Sequence, residues 1–167
     1  MSIDIVQKNG DFAEAIYSGC LKYRYSLRVK LEGDGLAVVF ICLNPSTADH
    51  DKPDPTVTRC INRCNSIGAS SFTMLNIFAY RATDPREMKK QADPVGLWND
   101  KMIYLNALRA GMIVYAWGNH GEFKNRSESV RWLVGSMRDK IYYLKATKTG
   151  EFYHPLYVGY KTGFTKL

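Results

Sequence analysis

The sequence predicts an α/β domain: a three-layer α/β/α sandwich with a mostly parallel four-stranded central sheet and one antiparallel edge strand. Three observations predict it. Four apolar runs are unbroken rather than alternating, which is the pattern of strands covered on both faces. The stretches between them carry helix start and stop signals. The two kinds of segment alternate along the chain, an order that builds a parallel sheet with helices on both sides.

The elements follow in order. "YRYSLRVK" and "LAVVFICL" (36–43) read as two strands joined by a Gly-Asp-Gly turn, so an antiparallel edge strand precedes the first parallel one. "DPTVTRCINRCNSIG" offers Asp54 as N-cap, Pro55 at the first helical position and Gly68 as the stop. "FTMLNIF" (72–78) is the second parallel strand. "DPVGLWNDKMIYLNALRAG" repeats the cap device with Asp93, Pro94 and Gly111, and predicts a second helix. "MIVYAW" (112–117) is the third strand. A helix from Ser127 to Arg138 follows, with Val130, Leu133, Val134 and Met137 on one face. "IYYLKA" (141–146) is the fourth strand. No repeat or linker interrupts the chain, so residues 1–167 are read as one domain.

Composition narrows the class. Hydrophobic residues make up 46% and charged residues 23% of 167, the balance of a soluble globular protein rather than a disordered or fibrous one. No apolar run approaches the roughly 18 residues that cross a bilayer. "MSIDIVQKNGDF" lacks the basic start and apolar core of a signal peptide, so a cytoplasmic protein with no membrane partner is expected. Cys20, Cys42, Cys60 and Cys64 show neither a Cys-x-x-Cys spacing nor a histidine at ligand spacing. They read as buried reduced thiols, with a metal or cluster as the alternative. A formal net charge of +7 favours polyanions such as nucleic acid but specifies no chemistry.

The unusual polar residues cluster after the strands. In open α/β sheets ligands bind at the carboxyl ends of the strands. Here the first strand ends in Asn44-Pro45-Ser46-Thr47-Ala48-Asp49, and the second carries Asn76 into Arg81 and Asp84. The third ends in Trp117-Gly118-Asn119-His120, and the fourth leads to Lys148, His154 and Lys161. Each has a plain structural reading. Asn44 before Pro45 suits a turn, Trp117 suits the core or a pocket wall, His120 suits a solvated loop, and Asp54 and Asp93 suit helix caps. Asn76 inside an apolar run is more pointed, because a buried carboxamide without partners costs roughly 1–3 kcal/mol.

Four stretches together carry a resemblance. "LNPST" after the first strand resembles the first motif of the uracil-DNA glycosylase superfamily, above all the mismatch-specific branch, where Ile-Asn-Pro-Gly follows an apolar strand. "FTMLNIF" with "YRATDP" is similar to that superfamily's base-reading strand, and "IVYAWGNHG" to its Leu-Trp-Gly-x-x-Ala strand end. "YHPLYVGYKTGF" is similar to the segment bearing its catalytic histidine and minor-groove loop. The ordered set spans 36–164. "LNPSTAD", "FAYRATDP" and "HPLY" also resemble a small bacterial and phage family catalogued as domain of unknown function 1643.

The superfamily resemblance implies a glycosylase-like fold and a set of roles. Asn44 would orient the attacking water, with Asp49 or Asp54 as a contributing carboxylate. His154 would stabilise the departing base, and Asn76 would read it. Phe78 or Tyr80 would stack on it. Arg81, Lys148 and Lys161 would meet phosphates. Leu156 or Tyr157 would fill the vacated stack, and Trp117 and His120 would line the site. Two departures stand out: Asn44 replaces the aspartate of the most active uracil branch, and Leu156 follows Pro155 directly, without a phosphate-gripping Ser-Pro pair. The resulting expectation is an N-glycosidic hydrolase on a pyrimidine base in DNA, including a modified base, working without metal or cofactor. A nucleic-acid or nucleotide binder that kept the pocket, and an enzyme on free nucleosides or nucleotides, are the alternatives.

Overall fold

The structure is a computed structural model that describes residues 4–46 and 48–167. Thr47 of the Asn-Pro-Ser-Thr motif and the first three residues of "MSIDIVQKNGDF" lie outside the described residues.

The strands are β1 (Ile5–Asn9), β2 (Glu14–Ser18), β3 (Arg24–Lys30), β4 (Ala37–Cys42), β5 (Ser71–Asn76), β6 (Met112–Tyr115), β7 (Ile141–Tyr143) and β8 (Thr165–Lys166). They form one sheet in the order β1-β2-β3-β5-β4-β6-β7-β8. The four apolar runs are β4, β5, β6 and β7, and they are parallel neighbours, with Cys42 beside Asn76 and Ile41 beside Tyr115. The other four pairings are antiparallel. The sheet is therefore mixed and largely antiparallel rather than mostly parallel.

The expected edge strand is also corrected. β3 pairs with β5 and not with β4, and β1 and β2 lie outside it. The Gly33-Asp34-Gly35 segment makes no hairpin. It crosses the entry to β5, where Gly35 N donates to Gly68 O at 2.9 Å. A Cβ on Gly33 would sit 2.3 Å from that same carbonyl oxygen, so only glycine allows the crossing. β1 and β2 escaped the sequence reading because they are short and carry no unbroken apolar run.

The helices are α1 (Pro55–Ser66), α2 (Pro85–Lys89), α3 (Asn99–Arg109) and α4 (Arg126–Leu133). α1 begins as expected: Asp54 caps it, accepting from Val57 N at 2.8 Å, and Pro55 occupies its first turn. α3 starts later than Asp93 suggested. Asp93 instead closes a turn, accepting from Val95 N and Gly96 N at 3.0 Å each. Gly96 follows at φ 86, which no helix admits. The last expected helix ends at Leu133, and the chain continues as a 3-10 segment, Gly135–Lys140. "IYYLKA" leaves the sheet after Tyr143.

Alternation along the central strands separates two apolar clusters. Val38, Phe40, Cys42, Phe72, Met74 and Val114 pack with Val57, Cys60 and Cys64 of α1. Val39, Ile41, Leu75, Ile113 and Tyr115 pack with Ile103 and Ala107 of α3 and with Val130 and Val134 near α4. Fully burying each such side chain contributes about 1.5–3 kcal/mol, so both faces of the parallel strands are held. The strand tips are what this leaves open. Among the described residues, no helix is long and apolar enough to cross a membrane.

The cysteines are free. Cys42, Cys60 and Cys64 are buried, and Cys20 is exposed rather than buried. Burial pushes the Cys60 thiol well up and the Cys64 thiol to about 12, so both stay protonated at neutral pH.

Candidate functional site

The carboxyl ends of the parallel strands open into a cavity of about 730 Å³. β4 delivers Cys42, Leu43 and Asn44, β5 delivers Met74 and Asn76, and the segment after β6 delivers Trp117 to His120. Tyr153, His154, Leu156 and Tyr157 close it from the C-terminal segment, and Asp54, Pro55 and Thr56 from the start of α1. Of the residues singled out in the sequence, Asn44, Asn76, Trp117, His120, His154 and Leu156 come together here.

Asn44 is half-buried and fixed. Its Nδ2 donates to Ala82 O at 2.7 Å and to Pro45 O at 3.1 Å. Both amide protons are thereby used on the main chain, which leaves Oδ1 as the group to accept from a ligand or water. Asn76 is 2% exposed, and its Nδ2 is buried without a hydrogen-bond partner among the described residues. Such a donor costs about 1–3 kcal/mol in the empty cavity, and a ligand acceptor removes that cost.

His154 precedes a 3-10 turn, Pro155–Tyr157, and its Nδ1 accepts from Leu156 N at 3.4 Å. A neutral ring that accepts at Nδ1 carries its proton on Nε2. Burial drops the imidazole to about 4, against a smaller opposing effect of the Asp54 carboxylate, so the ring is neutral at pH 7. The α1 arginines hold this segment. Arg59 donates to Pro155 O and Val158 O, and Arg63 to Val158 O, Gly159 O and Thr162 O. Tyr160 lies against both guanidinium groups, 4.6 Å and 5.4 Å from its ring centre.

Trp117 is a wall rather than an exposed stacking platform. It is 1% exposed, and its Nε1 donates to Glu151 Oε2 at 2.6 Å. The buried Glu151 also accepts from Ser127 Oγ at 2.6 Å and from Arg131 at 2.9 Å. His120 sits at the rim, 3.2 Å from Lys89 Nζ, and partial burial and then that ammonium lower its pKa. Leu156 and Tyr157 form the outer lip, at 38% and 75% exposure.

Six residues singled out in the sequence lie elsewhere. Asp49 folds back on its own loop, its Oδ1 accepting from Asp51 N and Lys52 N at 2.9 Å each, and it does not line the cavity. Phe78 is fully buried against Phe123 in the core. Tyr80 packs edge-on to Tyr23, and Arg81 lies over the Tyr17 ring and donates to Leu21 O. Tyr80 and Arg81 line an adjoining, more open depression that shares Ser46, Ala82 and Thr83 with the main cavity. Lys148 and Lys161 are exposed and do not line the cavity. Asp49, His50 and Asp51 bring one ligand atom each within 4.8 Å of the others, but they do so on that same outer loop.

Sequence reasoning missed Arg24. It lines the cavity at 1% exposure. A bulge puts it there: Ile16 pairs with Ser26 but Tyr17 pairs with Arg24, so one extra residue of β3 is skipped. Without that residue, Tyr25 would share a face with Leu27; with it, Arg24 does. Arg24 NH1 donates to Ala48 O, while NH2 has only the Met74 sulfur at 3.6 Å. Its Nε has no partner among the described residues, and burial lowers the guanidinium to about 10, leaving it charged at neutral pH. The only trace in the sequence is an arginine between two tyrosines at a strand start. Arg63 left a better one, since it falls three residues after Cys60 on the buried face of α1.

Residues 24–156 match the family described as "Protein of unknown function (DUF1643)", and the chain belongs to that family. No curated protein and no solved structure matches it. The matched span contains every cavity residue named above except Tyr157.

Proposed function

We propose that this chain is an N-glycosidic hydrolase of uracil-DNA-glycosylase type, acting on a pyrimidine base in DNA, including a modified base. The fold reading that accompanies it is a three-layer α/β/α sandwich with the four parallel strands at its centre. One observation carries the function. Asn44, Asn76 and His154, from three separate segments, line one cavity at the strand carboxyl ends, and the Asn76 donor there is unpartnered.

Cleavage of an N-glycosidic bond sends the bonding electrons to the base and leaves positive charge on the sugar. Water then adds to the anomeric carbon, and the proton it loses ends on the departed base anion. Each convergent group fits a part of this. The free Oδ1 of Asn44 accepts from the attacking water and orients it. The neutral ring of His154 donates from Nε2 to the base oxygen where negative charge builds. Asn76 supplies a donor to the base edge, and the lip at Leu156 and Tyr157 fills the space of the extruded nucleotide.

The test incubates the protein with oligonucleotides carrying uracil, hydroxymethyluracil and other altered bases and measures abasic sites. Asn44→Ala is expected to keep binding and to lose at least about tenfold in turnover, equivalent to about 1.4 kcal/mol of transition-state stabilisation from the oriented water. Binding without base release from every substrate would sink the catalytic claim and leave a binder that kept the pocket. A reading on free nucleosides or nucleotides is supported by Lys148 and Lys161, which do not line the cavity as a strand-gripping pair would. It predicts affinity independent of oligonucleotide length.

A further inference from the structure

We infer that the floor of the cavity is an anion subsite, in which Arg24 and Asn76 bind a carboxylate or phosphate group carried by the ligand. The inference rests on the cavity being a nucleobase or nucleotide site and names the chemistry of what enters it.

The charge of Arg24 is not neutralised from within. None of the ion pairs among the described residues involves it. The other buried arginines are better served. Arg126 has both Ile77 O and the Asp100 carboxylate, and Arg63 has three carbonyl oxygens. Unpartnered Nε atoms also occur on Arg63, Arg81 and Arg131, so that atom alone decides nothing. Arg24 differs in having one carbonyl and one thioether, a weak acceptor, as its acceptor set among the described residues. A buried cation with so few acceptors, beside open space, is stabilised by an anion placed there.

A second orphan donor stands beside it. Met74, which Arg24 NH2 touches, and Asn76 lie two apart on β5, on the same face and about 7 Å from each other along the strand. The unpartnered Nδ2 of Asn76 is therefore one step up the same wall. The start of α1 adds one backbone N–H to the rim, that of Thr56, because Pro55 has none and Val57 N and Thr58 N are taken by Asp54. Asp54 lines the same cavity, but its carboxylate is held by Val57 N and forms no ion pair with Arg24. An anion must sit on the Arg24 side, away from Asp54. The bulge turns Arg24 to this face, where NH1 holds the loop after β4 through Ala48 O and the rest of the guanidinium faces the cavity lining.

Two sources carry such a group: a pyrimidine with an acidic substituent on its ring, or the phosphate of a nucleotide. Calorimetry on the full chain with matched pairs separates them. The first pair is 5-carboxyuracil against the neutral 5-carboxamide of uracil. The second is uridine monophosphate against uridine. Inorganic phosphate is a fifth probe. The charged member of one pair is expected to bind at least about tenfold tighter than its neutral partner, equivalent to about 1.4 kcal/mol. The pair that shows the preference identifies the source. Arg24→Met is expected to erase the preference and Arg24→Lys to keep part of it, while the exposed Arg28→Ala leaves it intact. Should Arg24→Met fail to fold, the wild-type pairs and Arg24→Lys still decide. Equal binding within both pairs overturns the inference, as does a preference that survives in folded Arg24→Met, or no binding of any anionic probe. Base release from oligonucleotides is scored separately. Turnover without anion preference removes this subsite and spares the hydrolase, and the reverse result does the opposite.

Discussion

His154 makes the cavity sensitive to pH in a direction that can be worked out. In the unfolded chain its imidazole titrates at the ordinary 6.5, and in the folded chain burial holds it at about 4. Between these values the unfolded chain takes up a proton that the folded one refuses. Stability is thus fully present above about pH 6.5 and is lost as pH falls toward 4. The interval from 6.5 to about 4, at about 1.36 kcal/mol per pH unit, sets a ceiling of about 3.4 kcal/mol. About 2 kcal/mol of it is gone at pH 5, and somewhat less given that the ring is only half-buried. For a chain of this length that is about 4–8 °C in melting temperature. The perturbation is His154→Gln, which keeps a polar side chain and removes the titration. Urea unfolding at pH 7.5 and pH 5 for both proteins isolates the effect, since His120, whose pKa is also lowered, and His50 are common to both. The native chain should lose about 2 kcal/mol more than the variant on acidification. A ring that titrates near 6.5 by NMR, or equal losses in the two proteins, would refute the burial and with it the neutral Nε2 donor.

Other expectations follow from the same geometry. Asn76→Leu removes the orphaned donor and should raise stability by about 1 kcal/mol in urea unfolding while abolishing ligand binding; a loss of stability would mean that Nδ2 is already satisfied. Glu151→Ala strips Trp117, Ser127 and Arg131 of their shared acceptor and should cost about 2–6 kcal/mol, read as a lowered denaturation midpoint, because the buried indole N–H and the Ser127 hydroxyl lose their acceptor at about 1–3 kcal/mol each while Arg131 keeps Gly150 O. Arg63→Ala frees the carbonyls of Gly159 and Thr162, leaves Val158 O to Arg59 alone, and should lower turnover more than substrate affinity; an unchanged rate would separate the α1 clamp from the placement of His154. Asp49→Asn should leave turnover within about twofold, because its carboxylate serves the loop; a large loss would return it to the chemistry.

What the sequence revealed and what it hid divide along a physical line. The central strands were legible because each is buried on both faces, and burial on both faces writes itself as an unbroken apolar run. α1 was legible because Asp54 and Pro55 are a local device, complete within four residues. The place of β3 was not. Whether a strand pairs with its neighbour in sequence or admits another between them is settled by contacts such as Gly33 against Gly68, thirty-five positions apart. β1 and β2 fell below notice because neither carries the unbroken apolar run that marks the central strands.

The site divides in the same way, and the division explains why the strongest clue in the cavity was invisible. Asn44, Asn76 and His154 could be found because a polar residue in an apolar run, or beside a proline, is anomalous on the page. Arg24 and Asn76 matter for a different reason, which is what their donors fail to meet. An unmet donor is a property of the folded surroundings, and no residue carries it alone. An exposed arginine at the start of a strand is satisfied by water and has no tale to tell. The same arginine, turned inward by one extra residue and given a thioether where a carboxylate would be ordinary, is a charge awaiting its counterion. Asp49 shows the converse: a carboxylate that looked free in the sequence holds two backbone amides of its own loop through Oδ1. Function in this cavity is therefore better sought among the groups the fold leaves unsatisfied than among those whose chemistry is most familiar.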